Sequence, residues 1–434
     1  MDDTGRLTRR QFAKAAVAIG GASALSACLD RSGGPDLPQG SDDLAALPDR
    51  QHAWNEFLAT DDHGNDVAPR HHVLLFLDYA SEGSPTDDDR ETAESAFESL
   101  ERAYPRSHDS DGETRVGLVF TVGYSPAYFE RFDADLPGSV DLPEPKALAS
   151  FENPDLDAQD AVVHLASDYP EVVLAAEEAL LGDQSELNGV EMAADLSGIF
   201  ERAERRTGFV GDGLPAENQD VRGVPDSEPI SEDAPLYMGF KSGFRKSQAT
   251  EERVTIQGGP FAGGTTLHAS RIRLQLRQWY EQDSRSQRVG KMFCPVHADE
   301  NLVEGAGDNL GDTALMDEKG CPAHASDDAR TKGMVGHSQK SARAREDGSP
   351  IILRRDFDST DDGEAGLHFV ALQREISDFV ATREAMNGED LAEESAALGQ
   401  KNNNGILQYM DVLRRGNFLV PPRDLRTLPE PNPE

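Results

Sequence analysis

Three short and almost wholly apolar runs, separated by helical patterns, constrain the fold of this chain more than any other feature. The runs are residues 71–77, 116–123 and 161–167, and their length suits buried strands rather than helices. A helical pattern follows the first run at residues 87–104, and another, which begins with a proline, follows the third at residues 170–181. The order β-α-β, then β-α, predicts an antiparallel sheet with helices packed on it.

The second half of the chain repeats this theme. Residues 271–277 alternate between polar and apolar, which predicts a half-exposed strand or the start of a helix, and residues 366–372 predict another strand. An amphipathic helix is predicted at residues 376–386. The chain is therefore predicted to be an α+β protein with duplicated ferredoxin-like domains, at residues 69–230 and 231–434, whose antiparallel sheets are flanked by helices.

Three further segments lack a clear periodicity. Residues 29–68 are rich in Asp, Gly, Pro and Ser, which predicts a flexible acidic tether with no functional site. The acidic residues 204–235 are predicted to be a connection between the domains. Residues 282–350 are polar, Gly-rich and long, and such a stretch inside a compact domain usually carries function.

The charge of the chain excludes one class of partner. It has 80 Asp and Glu against 42 Lys and Arg, a formal net charge of −38. This excess is typical of a halophilic surface, because a Debye length of about 3 Å at 1 M salt leaves the carboxylates little mutual repulsion. The acidity extends from end to end without a basic stripe, so nucleic-acid binding is disfavoured.

The N-terminus carries an export signal. Thr8-Arg9-Arg10-Gln11-Phe12-Ala13-Lys14 matches the twin-arginine pattern, and the apolar run behind it, residues 15–25, is too short and glycine-interrupted to span a bilayer. Residues 1–28 are therefore predicted to be a signal peptide recognised by the twin-arginine export machinery, which carries folded proteins. This route is typical of proteins that acquire a prosthetic group before export.

Leu25-Ser26-Ala27-Cys28 resembles a lipobox, in which the cysteine is acylated and becomes the new N-terminus. Lipidation at Cys28 would tether the mature protein to the membrane through a lipid anchor. We therefore expect the protein on the outer face of the cell membrane or, without the lipid step, outside the cell. The sequence leaves the oligomeric state open, a homo-oligomer included.

Eight phrases of the chain, in their order, resemble the dye-decolourising peroxidases, haem enzymes built from two ferredoxin-like domains of the dimeric α+β barrel type. The chain looks like a divergent, haloarchaeal-type member of this family. The resemblance covers nearly all of the folded sequence and rests on residues 72–77, 121–129, 156–160, 236–243, 337–343, 352–355, 369–374 and 418–422.

The resemblance implies a haem b site and two of its residues. His337 matches the ligand that binds the haem iron through a neutral imidazole. Arg354 matches the family's distal arginine, which stabilises charge as the O–O bond of peroxide breaks, and Arg355 takes this role if the register differs by one. A purely structural ion pair of Arg354 with a nearby carboxylate is the alternative.

The chain departs from the family at a third position. The family phrase Gly-Phe-x-Asp-Gly supplies an aspartate that moves the peroxide proton, and here Ser242 stands in its place, between the retained Gly239 and Gly243. A serine hydroxyl cannot act as this acid and base, and the loss of such a group typically costs roughly 10²- to 10⁴-fold in rate. Catalysis through Arg354 and water, the use of another carboxylate, and haem binding without efficient turnover all remain open.

Two copies of Cys-Pro-x-His form a second constellation. Cys294 and His297 stand in the first copy, and Cys321 and His324 in the second. Two thiolates and two imidazoles make a tetrahedral set for zinc, or soft ligands for copper. A disulfide between the cysteines with bystander histidines, and free buried thiols, are the alternatives.

The sequence thus supports three hypotheses about function. The first is an exported peroxidase that reduces hydrogen peroxide while it oxidises an organic reductant. The second is a non-catalytic, haem-binding or haem-handling lipoprotein, which Ser242 favours. The third is a zinc- or copper-binding exported protein that uses the Cys-Pro-x-His pair.

Overall fold

The computed structural model describes residues 36–241 and 244–433. The predicted signal peptide with its lipidation site Cys28 lies outside the described residues, and so do Ser242 and Gly243.

Most of the strands belong to one large sheet, and two short hairpins, β2–β3 and β7–β8, stand apart from it. The strands are β1 (His71–Tyr79), β2 (His108–Ser110), β3 (Glu113–Arg115), β4 (Val119–Tyr124), β5 (Asp155–Leu156), β6 (Ala161–Ser167), β7 (Glu186–Leu187), β8 (Val190–Glu191), β9 (Phe200–Phe209), β10 (Thr265–Leu274), β11 (Leu353–Arg354), β12 (Phe357–Ser359), β13 (Gly366–Gln373) and β14 (Met410–Val420).

Two helices of more than ten residues accompany the first half of the sheet, and a third, with several shorter helices, lies over the second half. The helices are α1 (Asp87–Ala103), α2 (Pro126–Phe129), α3 (Pro170–Leu180), α4 (Leu214–Glu217), α5 (Glu251–Val254), α6 (Arg285–Met292), α7 (Pro295–Asp299), α8 (Ala325–Lys332), α9 (His337–Ser341), α10 (Ile376–Asn387) and α11 (Glu389–Glu394). Among the described residues, none of the helices is long and apolar enough to cross a membrane.

The large sheet closes on itself. Strands β1, β4, β6 and β9 come from the first half, and β10, β12, β13 and β14 come from the second, with β11 paired to β13. All pairings among these strands are antiparallel. The halves join at two seams of one residue pair each, Asp358 with Phe209 and Leu419 with Tyr124. The predicted α+β class, with antiparallel sheets flanked by helices, is confirmed.

The predicted elements of the first half agree closely with the structure. The run at 71–77 is the core of β1, the run at 161–167 is β6, and the helix at 87–104 is α1. Helix α1 begins where Thr86 forms a capping box with Asp89. Apolar side chains of β1, β4 and β6 pack beneath α1 and α3 and form the largest core cluster.

Strand β9 corrects the prediction that residues 204–235 form a connection. Its sequence is rich in charged residues, yet it forms a strand that pairs with β1 along the length of β1. Arg206 is 1% exposed, and its guanidinium donates to Asp157 at 2.7 Å and to Glu204 at 2.8 Å. The prediction is wrong for residues 204–209 because these ion pairs allow a polar sequence to lie in the sheet.

The prediction of a flexible tether over residues 29–68 is wrong for residues 36–68, which pack on the folded domain. Trp54 is fully buried, with the guanidinium of Arg355 3.9 Å from the centre of its ring. The amide of Gln51 donates to the carbonyls of Val122 and Pro421, at 3.1 and 2.9 Å. A few buried side chains fix this segment, although its average composition is that of a linker.

Candidate functional site

A large cavity lies between the second half of the sheet and helices α9 and α10. It encloses about 1680 Å³ of space, including its opening to solvent. Apolar side chains form most of its wall, among them Ile272 of β10, Phe369 of β13 and Val412 of β14. These residues share the inner face of neighbouring strands because side chains alternate along a strand. A site of this size and polarity suits a large, mostly apolar cofactor.

His337 is the first residue of α9, and its side chain lines this cavity. Burial, followed by the positive charges of Arg354, Lys340 and Arg383, lowers the pKa of His337 to about 3. The imidazole is therefore neutral at ordinary pH. Among the described residues, neither ring nitrogen has a hydrogen-bond partner, so the ring retains a lone pair that can bind a metal.

The short helix α9 is held by the side chain of Gln339. Its Nε2 donates to the carbonyl of Cys321 at 2.8 Å, and its Oε1 accepts from the backbone N–H of Gly336 at 3.0 Å. Gly336 passes so close to Phe293 that a Cβ at this position would lie 1.8 Å from the Phe293 carbonyl oxygen. A glycine is thus required directly before His337, and it fixes where the imidazole enters the cavity.

Arg354 lines the same cavity from β11. Its backbone N–H donates to Gln248 at 2.9 Å, which holds the strand in place. No carboxylate of the described residues forms an ion pair with its guanidinium, so the alternative of a structural ion pair finds no support within this part of the chain. Arg355 points the other way, towards Trp54, and donates to Glu251 at 3.0 Å. The register thus brings Arg354, and not Arg355, to the cavity.

The residues on either side of Ser242 and Gly243 border the cavity as well. Phe240, Lys241 and Phe244 line it, on both sides of the undescribed Ser242 and Gly243. Gly239 has a φ of 82°, and a Cβ there would lie 2.8 Å from the hydroxyl of Tyr280. This conformation and close approach explain why a glycine stands at position 239.

Two buried arginines of the cavity wall were not predicted from the sequence. Arg383 of α10 and Arg415 of β14 both pair with Glu152, at 2.6 and 2.9 Å. Burial alone would raise the pKa of Glu152, but the charges of Arg415 and Arg383 outweigh it and lower the pKa. The wall therefore keeps an excess of positive charge, which suits the carboxylates of a haem. No local pattern reveals these pairs, because Glu152 is far from both arginines in the chain.

The Cys-Pro-x-His pair is only partly brought together. Cys294 and Cys321 form a disulfide, with their Cα atoms 6.4 Å apart. His297 is buried beside them, with its Nδ1 3.1 Å from the Cys294 sulfur and 3.6 Å from the Cys321 sulfur. His324 is exposed and lies outside this group. The four-ligand metal set is therefore not formed, and the disulfide alternative agrees with the structure.

Solved structures share this fold. Ferric DtpA from Streptomyces lividans is 18% identical, with a TM-score of 0.55 over 90% of this chain and 96% of that one. The encapsulated DyP-type peroxidase from Mycobacterium smegmatis is 14% identical, with a TM-score of 0.54 over 85% and 96%. A dye-decolorizing protein from V. cholerae is 13% identical, with a TM-score of 0.50 over 85% and 96%.

The fold is thus that of the DyP-type peroxidases. The chain itself belongs to a family of unknown function, DUF7405, which matches residues 69–422. No curated protein matches the chain.

Proposed function

We propose that this protein is an exported haem peroxidase that reduces hydrogen peroxide and oxidises an organic reductant. One observation carries the proposal: the neutral imidazole of His337 lines the same cavity as the guanidinium of Arg354, which has no carboxylate partner among the described residues. The proteins that share the fold support it, since two of the three above are named as DyP-type or dye-decolorizing.

The residues of the cavity fit a haem. His337 offers a nitrogen lone pair to iron, the apolar wall suits the porphyrin, and the buried arginines suit its carboxylates. Bound haem would supply an iron centre that exchanges electrons with peroxide and with the reductant.

The protein's own groups would act around this centre. Because Arg354 has no carboxylate partner among the described residues, its charge is free to attract the negative charge that develops on peroxide oxygen as the O–O bond lengthens. The apolar side chains of the cavity wall would limit the water around a bound cofactor, which would strengthen this interaction. The helix contacts of Gln339 would hold the His337 ring in one position while this happens.

Titration of the purified protein with hemin tests the cofactor assignment. We expect a Soret band in the wild type and its loss or displacement in His337→Ala, with no change in the exposed control His324→Ala. Absence of the band in the wild type, or an unchanged band in His337→Ala, would refute the proposal.

Peroxide turnover tests the activity. Arg354→Ala should retain the Soret band and lose roughly 10²- to 10³-fold in the rate of peroxide reduction, because removal of one charge-stabilising donor has this typical cost. A haem-loaded wild type that does not consume peroxide would instead support the second candidate, a haem-handling protein, which the serine at position 242 favours.

Export of the folded, lipid-anchored protein is part of the proposal and rests on the sequence alone. A haem seated in the cavity would need to be inserted before transport, which agrees with the twin-arginine route. Replacement of Arg9 and Arg10 by lysine should retain the protein in the cytoplasm. Cys28→Ala should release it from the membrane fraction, and an unchanged distribution of either variant would contradict the assignment.

A further inference from the structure

Three charged side chains face the cavity in succession along one extended segment. Arg354, Asp356 and Asp358 all line it, whereas Arg355 and Phe357 between them point to the opposite side of the sheet. This is the alternation of an extended chain, in which every second residue shares a face. Two carboxyl groups therefore stand on the same wall as the arginine to which the peroxidase hypothesis assigns charge stabilisation.

The two carboxyl groups have different surroundings. Asp358 is 1% exposed and accepts a hydrogen bond from the backbone N–H of Tyr237. Its burial, together with the negative charge of Asp356, raises the pKa of Asp358 well above its ordinary value. Tyr237 and Tyr280 are the other titratable groups whose charges interact with it, and both have raised pKa values that keep them neutral. Burial thus favours the protonated, neutral form of Asp358.

Asp356 lies closer to the cavity solvent and is only half-buried. Within residues 36–241 and 244–433, its carboxylate has no hydrogen bond or ion pair. A carboxyl group two residues from Arg354, with no partner among the described residues, is open to a hydrogen bond from a bound molecule. Neighbouring carboxyl groups in different surroundings are the arrangement by which enzymes separate acid from base.

We propose that Asp356 is the group that moves the peroxide proton in this protein, in the place of the aspartate that Ser242 replaces. Asp358 acts as a positioning residue that stays protonated, so that the wall beside Arg354 carries one negative charge rather than two. The inference rests on the proposed peroxidase function and adds a residue role to it.

The proton balance is simple. The Asp356 carboxylate takes one proton from the first oxygen of hydrogen peroxide, and it returns that proton to the second oxygen as the O–O bond breaks, which releases water. Bound haem would supply the two electrons that the cleavage requires, and the organic reductant would restore them. Over a full cycle, hydrogen peroxide, two electrons and two protons give two molecules of water.

Three isosteric variants test the assignment, namely Asp356→Asn, Asp358→Asn and the exposed control Asp362→Asn. In hemin-loaded protein with an intact Soret band, Asp356→Asn should slow peroxide reduction at least about 100-fold. It should also slow the binding of cyanide to the ferric protein, since hydrogen cyanide must give up its proton. Asp362→Asn, which is exposed and outside the cavity, should stay within about threefold of the wild type. Asp358→Asn should slow the reaction less than Asp356→Asn does, because an amide resembles a neutral acid in shape and charge.

Infrared difference spectra of the protein without haem give a readout that does not depend on turnover. The wild type should show the carbonyl band of a protonated carboxylic acid, and Asp358→Asn should lose it while Asp356→Asn retains it. Three outcomes would each overturn the inference and leave the haem assignment standing. They are cyanide and peroxide rates in Asp356→Asn equal to those of the wild type, an equal slowing in Asp358→Asn, and the absence of the acid band from the wild type. A wild type without a Soret band would instead overturn the proposed function itself.

Discussion

Glu101 of α1 provides the sharpest prediction about stability. Its carboxylate is buried and accepts from Arg423 at 2.6 Å and from Arg426 at 2.9 Å, so it ties the C-terminal segment to the first helix. Burial alone would raise the pKa of Glu101, but the hydrogen bonds and charges of these arginines outweigh it and lower the pKa from 4.5 to about 2. At 1.36 kcal/mol per pH unit, this corresponds to about 3 kcal/mol of folding free energy.

Because the folded-state pKa lies below the unfolded one, this stabilisation is complete above about pH 4.5 and disappears as the pH falls towards 2. Glu101→Gln should therefore lower the free energy of unfolding by about 3 kcal/mol at pH 7, and the difference from the wild type should shrink on acidification. Urea unfolding at fixed salt, followed by circular dichroism at several pH values, measures both effects.

Glu98→Gln is the matched control, since Glu98 lies one turn earlier in α1 and forms a partly exposed pair with Arg102. Such surface pairs contribute about 0.5 kcal/mol or less. Equal losses in the two variants, or a Glu101→Gln deficit that does not change between pH 7 and pH 3, would refute the reasoning.

Three further predictions concern the site and the packed N-terminal segment. Gly336→Ala should weaken hemin binding severely, because the new Cβ would collide with the Phe293 carbonyl oxygen. Gly138→Ala is the control, since a Cβ there has no neighbouring atom within 4 Å, and equal hemin affinities of the two variants would contradict the reasoning. Trp54→Ala should destabilise the fold by about 3–5 kcal/mol in urea unfolding and make residues 36–68 sensitive to protease, and a loss below 1 kcal/mol would show that the segment is not anchored. Replacement of both Cys294 and Cys321 by serine should cost about 3–4 kcal/mol, and thiol titration of the unfolded wild type should detect neither cysteine; two reactive thiols would contradict the disulfide.

The ordered phrases of the sequence were sufficient to predict the fold class and the two residues that meet in the cavity. His337 and Arg354 were predicted from the resemblance of residues 337–343 and 352–355 to the family's phrases, and they lie at the start of α9 and in β11. The structure places both in the lining of one cavity, His337 from α9 and Arg354 from β11, while the chemical role of each remains the proposal made above.

Other features were hidden for physical reasons. The chain has 80 acidic residues, so the sequence alone does not distinguish Asp356 and Asp358 from acidic residues on the solvated surface. The structure distinguishes them, because every second residue from Arg354 onwards lines the cavity. Strand β9 was missed because its buried charges are neutralised by partners distant in sequence, such as Asp157 for Arg206. The packed segment before β1 was missed because a few buried side chains, such as Trp54 and Gln51, fix it although its average composition is polar.

The contacts of Glu152 bear on how far the two halves are separable. Glu152 belongs to the first half, yet it neutralises Arg383 and Arg415 in the wall of a cavity built almost wholly by the second half. A second half expressed alone would bury two guanidinium groups without a counter-charge, at a cost of several kcal/mol. The repeated architecture is therefore not a pair of interchangeable modules, and a nascent chain gains a complete cofactor pocket only after both copies of the motif have met.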